Sequence, residues 1–139
     1  MVDKAQLARH FIEAIPHCRA LGMELTDIGE GMAVIEMPYA DKLVGDPKTG
    51  VIHGGAVSAI MDTCCGAAVM SHPAAPGGTA TIDLRIDYMR GATPGQKIVT
   101  KAHCYQITRN VAFVRATAFD DDADRPVATA AGSFTVEKA

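Results

Sequence analysis

A single carboxylate, Asp62, interrupts a stretch from Ala56 to Met70 that is otherwise almost entirely apolar. Read as a helix entered at Gly54, the stretch holds Asp62 in its interior, where an ionised carboxylate is costly unless paired or hydrogen-bonded. Two roles are open to it. It could bond Ser58 one turn back, or Thr63 of a neighbouring copy, and merely order the core; or it could move a proton or attack a carbon. At the entrance to the same stretch stands His53-Gly54-Gly55. Glycines leave the backbone bare, and the N–H groups of a helix's first turn lack internal partners, so they point at any oxygen that gains negative charge. The tripeptide also reads as a plain glycine turn into the helix, with His53 as a polar cap. His53 and Asp62 lie nine positions apart, which places them on opposite sides of the helix and about 13 Å apart along its axis. One chain is badly built to bring them together. A two-fold dimer can set the helix start of one copy against the middle of the partner helix, giving two sites per dimer.

The elements that must position these residues follow from periodicity. Residues 4–21 carry Ala5, Leu7, Ala8, Phe11, Ile12 and Ile15 on one face, with Asp3 as N-cap and Pro16 near the end, and predict one amphipathic helix. Runs at 23–28 and 32–38, split by Gly29-Glu30-Gly31, predict a hairpin. Tyr39 to Ile52, rich in Gly, Pro and Asp, reads as loop. The apolar helix runs from Gly54 to about Ser71, some 27 Å at 1.5 Å per residue, and ends at His72-Pro73 and Pro76-Gly77-Gly78. From Thr81 to Met89 polar and apolar residues alternate, the period of a half-buried strand. Strands at 97–107, 111–119 and 127–136 follow, joined by connections too short for parallel crossovers. The expectation is an α+β fold: an antiparallel sheet of five or six strands curled around one central helix, with a second copy hiding what the sheet leaves open.

Length and composition narrow the function. At 139 residues the chain is expected to form a single domain, residues 1–139. With 13 Lys+Arg against 16 Asp+Glu and no basic block, neither nucleic acid nor an anionic membrane surface is an expected partner. No uninterrupted apolar run has the roughly 18 residues of a span, and MVDKAQLARHFIEAI lacks a signal peptide's pattern. A cytoplasmic location is expected. Cys18, Cys64, Cys65 and Cys104 have no ligand or staple spacing, and the five histidines form no HxxxH pair, so no metal or resident cofactor is expected.

The string Gly50-Val51-Ile52-His53-Gly54-Gly55, followed by Asp62 and then Gly66, resembles the hotdog-fold acyl-CoA thioesterases of the phenylacetic-acid-degradation, or PaaI-like, type. The order of elements matches too, so the resemblance covers nearly the whole chain. It implies a homodimer, paired again into a tetramer, with an acyl-CoA thioester lying between two subunits and coenzyme A entering only as part of the substrate. The implied catalytic set is Asp62, Gly54, His53, Gly55 and Thr81. Asp62 acts as general base on water or as a nucleophile forming a transient anhydride, the Gly54 N–H polarises the carbonyl, His53 supports the loop, and Thr81 supplies a hydroxyl near the reacting group. Where the family often has an Asn near the water, this chain offers Asp46.

The expected substrate-binding residues are Asp46, Ser58, Arg90, Arg109 and Asn110. The two arginines stand where relatives bind the nucleotide end, and Arg suits phosphate through its planar donor fork. Each also reads as a solvated loop charge. Asp120, Asp121, Asp122 and Asp124 read as a hydrated turn that repels phosphate. Met61, Met70 and Met89 suggest an adaptable pocket for aryl or medium-chain acyl groups. The alternative on the same fold is a dehydratase-like protein or a non-catalytic acyl-CoA binding module, because function lives in the site rather than the fold.

Overall fold

The computed structural model describes residues 4–75 and 77–138; the expected N-cap Asp3 and the helix-ending Pro76 lie outside them. The first expected helix is two: α1 (Lys4–Ala14) and α2 (Pro16–Leu21). Proline without an N–H cannot continue α1, and it holds Ile15 extended at φ −71°, ψ 119°, so Pro16 starts the second helix instead of closing the first. The hairpin forms as β1 (Glu24–Gly29) and β2 (Met32–Met37), turned by Glu30 at φ 50° and Gly31 at φ 86°. The segment expected as loop carries a short 3-10 turn (Asp41–Leu43) and a two-stranded ribbon of β3 (Val44–Asp46) and β4 (Val51–Ile52). Composition hid that ribbon, because two- and three-residue strands show no periodicity.

The central helix α3 spans Gly54–Ser71, followed by β5 (Thr81–Tyr88), β6 (Ile98–Ile107), β7 (Val111–Phe119) and β8 (Ala128–Thr135). The main sheet has six antiparallel strands in the order β1-β2-β6-β7-β8-β5. This is the hotdog arrangement, with α3 lying chiefly on β2, β6 and β7. Small side chains make room for it: Ala102, Ala112, Ala116, Ala118 and Ala128 are buried on the sheet's inner face. Alternation along the strands follows from the pleat, which sends successive side chains to opposite faces.

Nine of the eighteen α3 residues are buried, so this helix, long and apolar enough to cross a membrane, is the core helix of the domain. Its stripe at four-residue spacing, Gly54, Ser58, Asp62, Gly66 and Met70, stays at least partly open, since the sheet covers one side of the rod only. All four cysteines are unpaired and buried. Burial pushes the Cys65 thiol up to about 12 and raises that of Cys64 as well, which keeps both as neutral core groups.

The two sheet edges differ. β1 carries Glu24 and Asp27, has an irregular register, and is covered by α1, whose Arg9 Nε donates to the Leu25 carbonyl at 3.0 Å. β5 is eight residues long, pairs only with β8, and leaves Ile82 and Tyr88 more than half exposed. A long edge with apolar side chains is a template for another strand.

Candidate active site

His53 caps α3. Its backbone is extended at φ −57°, ψ 134°, its carbonyl accepts from the Ala56 N–H at 2.9 Å, and its ring Nδ1 accepts from the Gly55 N–H at 2.7 Å. With Nδ1 as acceptor, a neutral ring carries its proton on Nε2. The cap corrects one expectation: the Gly55 N–H is spent on His53 and is not a donor for a ligand. Gly55 is needed for another reason, because a Cβ there would come within 2.8 Å of the His53 ring nitrogen. The Gly54 N–H remains, with no acceptor among the described residues. At Gly54 a Cβ would find only ordinary contact, 3.5 Å from Tyr88 Cε1. The chain's own packing does not demand glycine at 54.

Two residues that the sequence left unnoticed hold this end. Tyr88 Oη donates to the Gly54 carbonyl at 3.0 Å, tying the end of β5 to the start of α3. Gly45 lets β3 run against residue 53, where a Cβ would sit 2.8 Å from the His53 Cα. Strand alternation puts Tyr88 on the same side as Ile82, Leu84 and Ile86, which is the one signal that could have found it.

Asp62 is half-buried on the open stripe, roughly 12 Å along the helix from Gly54 at 1.5 Å per residue. Its Oδ1 accepts from Thr81 Oγ1 at 2.7 Å, while Oδ2 has no partner among the described residues. Ser58 does not pair with it; the Ser58 hydroxyl donates to the Gly55 carbonyl at 2.9 Å, satisfying a helical acceptor. The carboxylate lines a cavity of about 190 Å³ together with Thr81, Gly66, Met70 and Phe11. A carboxylate with one oxygen fixed and the other without a partner is equipped to take a proton or to attack a carbon.

The remaining expected residues separate. Asp46 spends its side chain on its own turn, accepting from the Lys48 N–H and the Thr49 hydroxyl, both at 3.0 Å. Arg109 and Asn110 form the exposed turn between β6 and β7. Asn110 O accepts from the Val136 N–H and Ala80 O from the Thr135 N–H, so this turn stands at the sheet end where β5 begins, near Thr81. Arg90 stands at the other end, after Tyr88, and is fully engaged. Its guanidinium donates to both Asp120 oxygens at 2.7 and 2.8 Å and to the Gly91 and Arg125 carbonyls. No Arg90 donor is left for a phosphate.

Asp120 is correspondingly no hydrated turn residue: its side chain is fully buried, and it also accepts from the Thr93 and Asp122 N–H groups at 3.0 Å. The Arg90 guanidinium, followed by those N–H groups, holds its carboxyl well below the usual carboxylate range. A depressed folded value stabilises the fold in full above the unfolded pKa near 3.9, and that stability is lost progressively as pH falls from there through the lower folded value. Asp120→Asn is expected to cost about 3–5 kcal/mol at neutral pH by stranding Arg90 and to flatten the loss of stability that sets in below about pH 4 and continues to the lowest pH at which the fold survives; thermal melts from neutral pH downward check both.

Among the described residues no cluster of His, Cys, Asp or Glu has the makings of a metal site. A family model, the thioesterase superfamily, matches residues 49–127, more than half of the chain. A Pseudomonas aeruginosa protein of solved structure is 37% identical, covering 96% of this chain and 98% of its own, with a TM-score of 0.85. Escherichia coli YigI, named as a medium/long-chain acyl-CoA thioesterase, is 25% identical over 81% of this chain and 80% of its own. The Escherichia coli PaaI protein, from a phenylacetic acid degradation operon, shares the fold at 20% identity and a TM-score of 0.85, covering 98% of this chain and 95% of its own.

Proposed function

The chain belongs to the thioesterase superfamily, and from that membership we propose that it is a single-domain, cytoplasmic acyl-CoA thioesterase of PaaI-like type whose sites are shared between two copies. The observation that carries the proposal is the division of the chemistry along one open helix stripe. An unpaired Gly54 N–H stands at one end and the free oxygen of Asp62 roughly 12 Å further along, too far apart to serve one thioester carbon within a chain. The strand β5 links them, with Tyr88 on Gly54 and Thr81 on Asp62. Antiparallel pairing of two β5 edges about a two-fold axis sets the Tyr88 end of one copy beside the Thr81 end of the other. Gly54 then faces Asp62 of the partner subunit. A second pairing into a dimer of dimers would cover Met32 and Tyr105, exposed on the outer sheet face.

At such a site the thioester carbonyl oxygen accepts the Gly54 N–H at the positive end of α3, where the helix dipole stabilises the charge that develops on it. In one course Asp62 takes a proton from water while the water oxygen bonds to the carbonyl carbon. In the other Asp62 itself bonds to that carbon, and water then opens the anhydride. In both the C–S bond breaks, the sulfur leaves with the electron pair as coenzyme A thiolate, and it is protonated to the thiol. Thr81 fixes one Asp62 oxygen so that the other meets the reacting atoms. His53 holds the loop by its cap, and Arg109 and Asn110 are left as the turn for the nucleotide phosphates. Four unpaired thiols suit a reducing compartment. Release of free thiol from acyl-CoA esters, followed with a chromogenic disulfide, tests the proposal. Steady turnover is expected; binding without release would mark an acyl-CoA binding module, and loss of water from a β-hydroxyacyl ester a dehydratase.

A further inference from the structure

The open stripe of α3 continues beyond Asp62 through Gly66 to Met70, and α1 lies alongside it. Two cavities fill the space between them. The nearer, about 190 Å³, is polar at Asp62 and Thr81 and apolar toward Phe11, Ile12 and Gly66, where Thr79 presents its methyl group, its hydroxyl donating to the Thr135 carbonyl at 2.6 Å. The farther, about 640 Å³, is walled by Leu7, Phe11, Ile28, Met70 and Pro73, with Glu30 as the single charged residue among the described ones lining it. Phe11 and Met70 line both, so these two side chains stand between the two volumes.

Gly66 sits in the passage. A glycine inside a helix is less stable than alanine, and here the chain has room for a side chain: a Cβ would find its nearest neighbours, Phe134 and Thr79, at 3.9 Å. Internal packing therefore does not require the glycine, whereas an open route along the stripe does. The gradient, from a fixed carboxylate and hydroxyl to a long apolar space, matches a molecule with a polar reacting head and a hydrocarbon tail.

We infer that, granted the thioesterase reading above, the acyl group is an unbranched alkyl chain that leaves Asp62, passes Gly66 and lies between α1 and α3, with Phe11 and Met70 setting the length beyond which added carbons gain nothing. Each methylene buried on this route strengthens binding about fourfold. Binding of non-hydrolysable thioether analogues of coenzyme A carrying two to twelve carbons, and a phenylethyl analogue, is measured alongside kcat/KM for the matching thioesters. The expected result is a steady rise in affinity and kcat/KM with chain length up to a plateau. Gly66→Leu is expected to reduce the ratio of octyl to ethyl affinity at least tenfold. Gly66→Ala, which favours the helix, is expected to reduce it less and to keep the measurement valid if the leucine variant does not fold. Met70→Trp is expected to move the plateau to shorter chains.

A flat chain-length profile, equal or better binding of the phenylethyl analogue, or an unchanged slope in both Gly66 variants overturns the inference, and leaves the hydrolase reading in place if thiol is still released. A rising affinity without thiol release from any ester overturns the hydrolase reading and upholds the alkyl route.

Discussion

Asp62→Asn is expected to lower kcat for acyl-CoA hydrolysis by about 10²–10⁴-fold, the range for loss of a positioned proton-transfer group. The substitution keeps the shape and an oxygen able to accept from Thr81 Oγ1, at the present 2.7 Å, so the fold has no reason to weaken. It removes the negative charge with which the free oxygen takes a proton or attacks carbon. Melting temperature and acyl-CoA affinity should accordingly stay near those of the unmodified protein while turnover collapses. A variant that unfolds earlier and loses activity only in proportion would assign Asp62 to structure.

The second large effect concerns an atom rather than a side chain. Gly54 is the first residue of α3, and His53 before it is already extended at φ −57°, ψ 134°. Proline is well tolerated at such a first position, and it requires of the preceding residue the conformation His53 has. Gly54→Pro thus deletes the N–H assigned to the carbonyl oxygen with little disturbance of the helix, and kcat should fall by about 10²–10³-fold, as for other lost oxyanion donors. Gly54→Ala is the control for bulk, because it adds a Cβ at ordinary contact distance from Tyr88 while keeping the N–H. Activity lost equally in both variants would point to crowding; activity retained in Gly54→Pro would remove the Gly54 N–H from the reaction.

Much of the fold was legible because its signals are local. The alternation in β5 and the apolar run of α3 each report which sides of an element face the core, and the short connections fix antiparallel pairing. What depends on distant pairing was not legible. No local pattern says that β5 lies outside β8 at a sheet edge; the division at Pro16 did have a local signal, the proline itself, but the apolar periodicity running across residues 4–21 masked it. The same holds at the site. Residue types alone offered Ser58 as a partner for Asp62, one turn away, yet Ser58 satisfies a backbone carbonyl and the hydroxyl on Asp62 comes from Thr81, nineteen positions on. Only the family resemblance drew Thr81 toward the site. Arg90 and Asp120 were misjudged for a related reason. Four carboxylates between residues 120 and 124 look alike in sequence, and the fold turns Asp120 inward, where it takes up the arginine that the sequence offered to phosphate.

The central claim is that each site needs Gly54 from one copy and Asp62 from another, and mixing two inactive proteins tests it. Asp62→Asn and Gly54→Pro homodimers are combined, dissociated and reassociated, and thiol release is compared with that of each parent treated alone. A mixed dimer in which the site is shared has one site with both groups intact, so random pairing should restore about a quarter of the unmodified activity from two nearly inactive parents. If the mixed dimers form and activity remains at the level of the parents, each chain holds its site alone, and the shared arrangement is wrong.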